Sequence, residues 1–224
     1  TPYHFDQQNK LLPFSSISNS KTIYCNENGY YSIYQSDRYG FNNPDSEWDK
    51  KEIEYLLVGD SFTYGECVNR PDDISSVLRT LSKKSTLNLG ISGKGPLIEY
   101  ATLREYLKPN VKNVLWVYYG NDISILDHEL SIEILNSYLK DLNFSQNLKF
   151  RQKKIDNIEK NIHYDEFLRF RAQYKKDKKL KNKFLKFIRL NQVKNIFKRN
   201  FFTKKDSFTN KDVYKNLENI LKLV

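Results

Sequence analysis

The sequence predicts an α/β fold, with a parallel sheet held between helices as a three-layer sandwich. Two observations carry that expectation. Three short apolar runs, at residues 52–59, 86–91 and 113–119, have the length and composition of buried strands. The stretches between the runs carry apolar residues at helical spacing, so the chain alternates strand, helix, strand, helix, strand. That alternation is how parallel strands are joined by right-handed crossovers.

Taken in order, residues 1–50 form an aromatic, turn-rich segment expected to pack as a cap beside the sheet. Asn26-Glu27-Asn28-Gly29 is a turn signal, Tyr30 to Tyr34 suits a short strand, and Tyr39 to Asp45 reads as a loop. The first buried strand, 52–59, ends at Gly59-Asp60-Ser61. A helix is predicted over 72–83, started by Asp72 or Asp73, with Val77, Leu78 and Leu81 along one face. The second strand, 86–91, ends in Ser92-Gly93-Lys94-Gly95, and Pro96 suits the first turn of the helix that follows, which runs to about Leu107. The third strand, 113–119, ends in Gly120-Asn121-Asp122.

From about Ile123 the pattern changes. Residues 128–160 and 164–224 are rich in Lys, Asn and Leu and predominantly helical, with Phe184, Phe187, Ile188 and Val193 at helical spacing and Thr203 to Ser207 as a loop. The expected organisation is therefore an N-terminal segment (1–50), an α/β core (51–127) and a basic, mainly helical insertion (128–224).

Composition limits the function classes. Among 224 residues, 14 % are aromatic, too many for a disordered chain, although a mean hydropathy of −0.70 requires a strongly solvated part. The charge is local: residues 151–224 hold 22 Lys and Arg against 8 Asp and Glu, whereas the whole chain carries a net +10. The first 150 residues are thus net acidic, and the positive excess belongs to the last third. Such a segment suits a solvated helical face or contact with an anionic surface. Its aromatics sit at helical spacing, which favours buried contacts over base stacking, so nucleic acid is not the expected partner.

Cys25 and Cys67 have no metal-ligand spacing, and His4, His128 and His163 are scattered, so neither a metal site nor a cofactor is expected. A Cys25–Cys67 disulfide and two free thiols both remain open. No apolar run approaches a membrane span, and no leader is evident. An extracytoplasmic or membrane-anchored placement would need a signal or anchor ahead of Thr1.

In an open parallel sheet, ligands bind beyond the carboxyl ends of the strands. Here that edge gathers Gly59-Asp60-Ser61, Gly90-Ile91-Ser92-Gly93 and Gly120-Asn121-Asp122. These are parts for acyl chemistry: a hydroxyl nucleophile on a strand-to-helix turn, glycines that admit a ligand to backbone N–H groups, and a side-chain amide for a developing oxyanion. The bland reading makes the glycines turn formers and Asn-Asp a helix cap. Two other motifs do not fit. Thr63 stands where Gly-x-Ser-x-Gly needs its second glycine, and no Gly-Lys is followed by Ser or Thr as a Walker loop requires. A flavodoxin-like phosphate binder would have no need of Asn121.

Gly59-Asp60-Ser61-Phe62, Asn88-Leu89-Gly90-Ile91-Ser92-Gly93 and Gly120-Asn121-Asp122 resemble the first three sequence blocks of the SGNH (GDSL-type) hydrolases, in order and with suitable spacing, over about residues 50–125. The resemblance implies a flavodoxin-like SGNH fold and a serine esterase. Ser61 would be the nucleophile, and the backbone N–H groups of Ser61 and Gly93 with the Asn121 amide would form the oxyanion hole. Asp60 and Asp122 would orient loops. Tyr119 replaces a glycine usual in the third block, which implies a narrower cleft there.

The family's last block, Asp-x-x-His, has no match. The expectation is that it and the remaining strands follow Val224; the alternatives are an inactive protein or recruitment of His128 or His163. The expected substrate is a short-chain or carbohydrate O-acetyl ester. Acyl transfer to a sugar hydroxyl, or a binding or scaffold role for the basic region, stand as alternatives.

Overall fold

The computed structural model describes residues 5–8, 10–27, 29–120, 122–169, 171–173, 175–176 and 178. In chain order these form β1 (Lys21–Ile23), β2 (Ile33–Gln35), a 3-10 turn (Asp45–Asp49), β3 (Ile53–Gly59), α1 (Ser61–Tyr64), α2 (Ile74–Ser82), β4 (Thr86–Asn88), α3 (Pro96–Tyr106), β5 (Val111–Val117), α4 (Asp122–Leu130), α5 (Glu133–Lys140), a second 3-10 turn (Leu148–Arg151) and α6, residues 152–169. The chain divides into two units, residues 1–166 and 167–224. Described residues of the second unit are helical; Phe184, Phe187, Ile188, Val193 and Thr203 to Ser207 lie outside the described residues. No helix among the described residues is long and apolar enough to cross a membrane.

The predicted α/β class and parallel sheet are present. The sheet order is β4-β3-β5, both pairings parallel, with Leu57 opposite Asn88 on one side and Leu115 on the other. Strand β3 is central because Leu56, Leu57 and Val58 offer apolar side chains to both faces, and all three are buried. Alternation then sorts the neighbours. Leu87 and Leu89 join Leu56 and Val58 in one core cluster with Ile98 and Ala101 of α3. Thr86 and Asn88 meet the other layer: Arg79 Nε of α2 donates to Thr86 O at 3.2 Å, and Asn88 Nδ2 to Thr63 O of α1 at 2.5 Å. Leu135, Tyr138, Leu148, Ile155 and Ile158 enter the same cluster as α3. Burying a side chain of this size contributes about 1.5–3 kcal/mol.

Several expected boundaries moved. The third strand sits two residues earlier than read, at 111–117. The strand expected at Tyr30–Tyr34 is Ile33–Gln35, paired antiparallel with β1, which the sequence did not suggest. The larger correction concerns α2. Val77 and Leu81 are exposed, and the helix turns Ser75 and Ser76 inward. Asp73 accepts from Ser75 Oγ (2.5 Å) and Ser76 N (3.0 Å), so polar contacts fix the rotation of this helix and not its apolar stripe.

The N-terminal segment covers the free edge of β4. Asn43 acts as a strand residue, accepting from Asn88 N at 2.8 Å and donating to Asn88 O at 2.9 Å. Its geometry is set by Asp37, which is fully buried and accepts from Asn43 Nδ2, Trp48 Nε1 and the N–H groups of Tyr39 and Phe41, all at 2.7–3.0 Å. Burial pushes the Asp37 carboxyl up, against the lowering effect of those four donors. Cys25 and Cys67 are paired, with a Cα–Cα distance of 5.0 Å, and join the β1–β2 hairpin to the loop after α1.

Strand β5, in contrast, is an open edge among the described residues. Val114 and Trp116 on one face and Leu115 on the other are 37–43 % exposed, although parallel strands are ordinarily covered on both faces.

Candidate active site

Ser61 stands where β3 stops. Gly59 ends the strand in a space no larger residue fits, since a Cβ there would lie 2.3 Å from Thr63 Oγ1 and 2.6 Å from Val117 O. Asp60 is buried and accepts from Phe62 N at 3.0 Å, starting the single turn of α1. Gly65, with φ 77°, closes that turn in the left-handed region. Thr63 and Tyr64 point inward, leaving Ser61 half-buried and Phe62 exposed.

The two neighbouring strand ends come to this turn. Backbone bonds from Leu89 N to Leu57 O (2.8 Å) and Ile91 N to Gly59 O (3.1 Å) carry the second loop alongside β3 past the end of β4. Gly90 is pressed on α1: a Cβ would lie 2.3 Å from Tyr64 N. Asn88 holds both partners, donating to Thr63 O and accepting from Gly90 N at 2.7 Å. Gly93 then turns with φ 68°. On the other side Gly59 pairs with Val117, and the Tyr119 ring lies 5.2 Å from that of Phe62. The two neighbouring strand ends therefore both reach α1, the second through Gly90 against Tyr64 and the third through Tyr119 against Phe62. Asn121 lies outside the described residues, and of Asp122 only the start of α4 is described.

The histidines are placed differently. His128 is exposed on α4, and His4 lies outside the described residues. His163, on α6, is flanked by Glu159 and Glu166 at 3.8 Å. No hydrogen bond joins either described ring to the Ser61 hydroxyl. Among the described residues no cluster of His, Cys, Asp and Glu is arranged to hold a metal ion.

Two structural residues escaped the sequence reading. Glu129 of α4 is fully buried and accepts from Gly95 N (2.8 Å), Leu97 N (2.9 Å) and Ile98 N (3.4 Å). It thus satisfies the free donors at the start of α3, where Pro96 has none. Gly95 leaves room for it, since a Cβ would meet the carboxylate at 2.9 Å. Glu66, directly after α1, accepts from Ser92 Oγ and ties the second loop down. A lone glutamate, whether in α4 or in the turn after α1, carries no sequence signal for such a role.

Beside the 90–94 loop lies a cavity of about 140 Å3, closed on its far side by α6. Glu159 faces it from α6. Desolvation pushes this carboxyl up to about 7, with Lys94 opposing and Glu166 adding to the rise. A raised carboxyl favours the protonated fold, so its contribution to stability is present below about pH 4.5 and is lost as pH climbs through 7. We expect unfolding free energy to drop by about 2–3 kcal/mol between pH 5 and 8 from this group. The Glu159→Gln variant should lose that part of the slope in urea titrations; an unchanged slope would contradict the assignment.

Comparison with protein-family models, curated proteins and solved structures finds no match for the chain.

Proposed function

We propose that the chain carries the nucleophile and oxyanion side of an SGNH-type serine esterase acting on short-chain or carbohydrate O-acetyl esters. The observation that supports the reading is that both neighbouring strand ends reach α1, the turn that Ser61 begins, with Gly90 packed against Tyr64 on one side and Tyr119 against Phe62 on the other. In this reading Ser61 Oγ attacks the ester carbonyl carbon and passes its proton to a general base. The carbonyl electron pair moves to oxygen, where the N–H groups of Ser61 and Gly93 and the Asn121 amide hold it. Collapse expels the alcohol oxygen, which takes the proton, and leaves an acyl group on Ser61. Water then repeats the sequence and frees the acid. Asp60 and Asp122 set the loops and take no part in bond making.

Neither described histidine is hydrogen-bonded to Ser61, so this reading requires a base from outside the described residues. Acyl transfer is the same first half-reaction with a sugar hydroxyl in place of water. To test the reading, the full-length protein is treated with a fluorophosphonate and digested. The label should sit on the peptide containing Ser61. A protein that turns over no ester and takes no label contradicts the esterase reading.

A further inference from the structure

We propose that the cavity beside the 90–94 loop is a binding site for one uncharged, hydroxylated six-membered ring, such as a pyranoside. Its volume of about 140 Å3 suits a single ring, since an engineered cavity of about 150 Å3 holds benzene. The cavity is graded from dry to wet. Phe14, Phe41 and Tyr64 form its floor and are buried, Tyr24 stands at the side and is 37 % exposed, and His163 at the mouth is more exposed still. An apolar wall with a few convergent polar groups is the usual composition of a small-molecule site.

The polar groups define the ligand. Lys94 enters from the loop and Glu159 from α6, and desolvation lowers the first while raising the second. An ammonium offers only donors and an ionised carboxylate only acceptors, whereas a hydroxyl is both and satisfies either. An anionic ligand would meet Glu159 and Glu166, and a cationic one would meet Lys94. A neutral polyol opposes neither, and its C–H face suits the aromatic rings of the floor. Tyr64, on the cavity floor, is the last residue of the one-turn helix that Ser61 begins, while Ser61 itself does not line the cavity. The site adds a sugar-sized seat to the proposed esterase, yet binding there does not depend on Ser61 chemistry.

The test is saturation-transfer NMR on the full-length protein and its Ser61→Ala variant, with methyl glucopyranoside, methyl galactopyranoside, glucuronate and glucosamine as probes. Neutral pyranosides should bind both proteins equally and more tightly than either charged sugar. Tyr24→Ser and Lys94→Met should each weaken binding at least tenfold. Absence of pyranoside binding, binding unmoved by both substitutions, or preference for a charged sugar overturns the proposal while leaving labelling of Ser61 intact. Loss of Ser61 labelling with pyranoside binding retained would instead defeat the esterase reading alone.

Discussion

Replacing Ser61 with alanine is expected to lower ester turnover by about a thousandfold or more while leaving the fold unchanged. The size follows from the role, since removing a serine nucleophile leaves only what binding and the oxyanion donors can supply. The fold should tolerate the change because Ser61 is half-buried and its turn is held elsewhere: by Asp60 on Phe62 N, by the buried Thr63 and Tyr64, and by Gly65 at its end. Circular dichroism and the urea midpoint should match the parent protein. Turnover within tenfold of the parent would remove Ser61 from the chemistry. An equal loss in kcat and stability would mark it as structural.

Glu129→Ala should cost about 4 kcal/mol of unfolding free energy. Three backbone N–H groups at the start of α3 lose a charged acceptor at once, in a site closed to water. Bonds to charged groups contribute about 1.5–3 kcal/mol each, and the orphaned donors keep their desolvation penalty. Glu129→Gln keeps the shape but offers one acceptor oxygen, and should cost about half as much. The contact also fixes α4 against the start of α3. A midpoint equal to the parent's for Glu129→Ala would contradict the buried-cap account.

The parts of the fold that were legible in the sequence are those where neighbours along the chain carry the signal. Strand β3 announces itself because Leu56, Leu57 and Val58 face both ways, and a central parallel strand needs that. The Ser61, Gly93 and Gly120 loops were visible because each follows a strand, and parallel strands put such loops on one edge. What could not be read is set by partners far away in sequence. The rotation of α2 depends on Asp73 and on Thr86 O, which outweigh the apolar stripe of Val77 and Leu81. Strand β1 is three residues long, too short for periodicity, and exists because β2 pairs with it. Asp37 and Glu129 look like ordinary surface acids until the donors around them are known. Lys94 and Glu159 likewise acquire meaning only once α6 lies across the 90–94 loop.

Acylation of Ser61 during turnover is measured most directly by rapid mixing of the full-length protein with p-nitrophenyl acetate, acid quench within the first turnover, and peptide mass spectrometry. One acetyl group is expected on the peptide containing Ser61, lost on longer incubation and absent from the Ser61→Ala protein. An acetyl group on another residue, or its persistence in the Ser61→Ala protein, would contradict it.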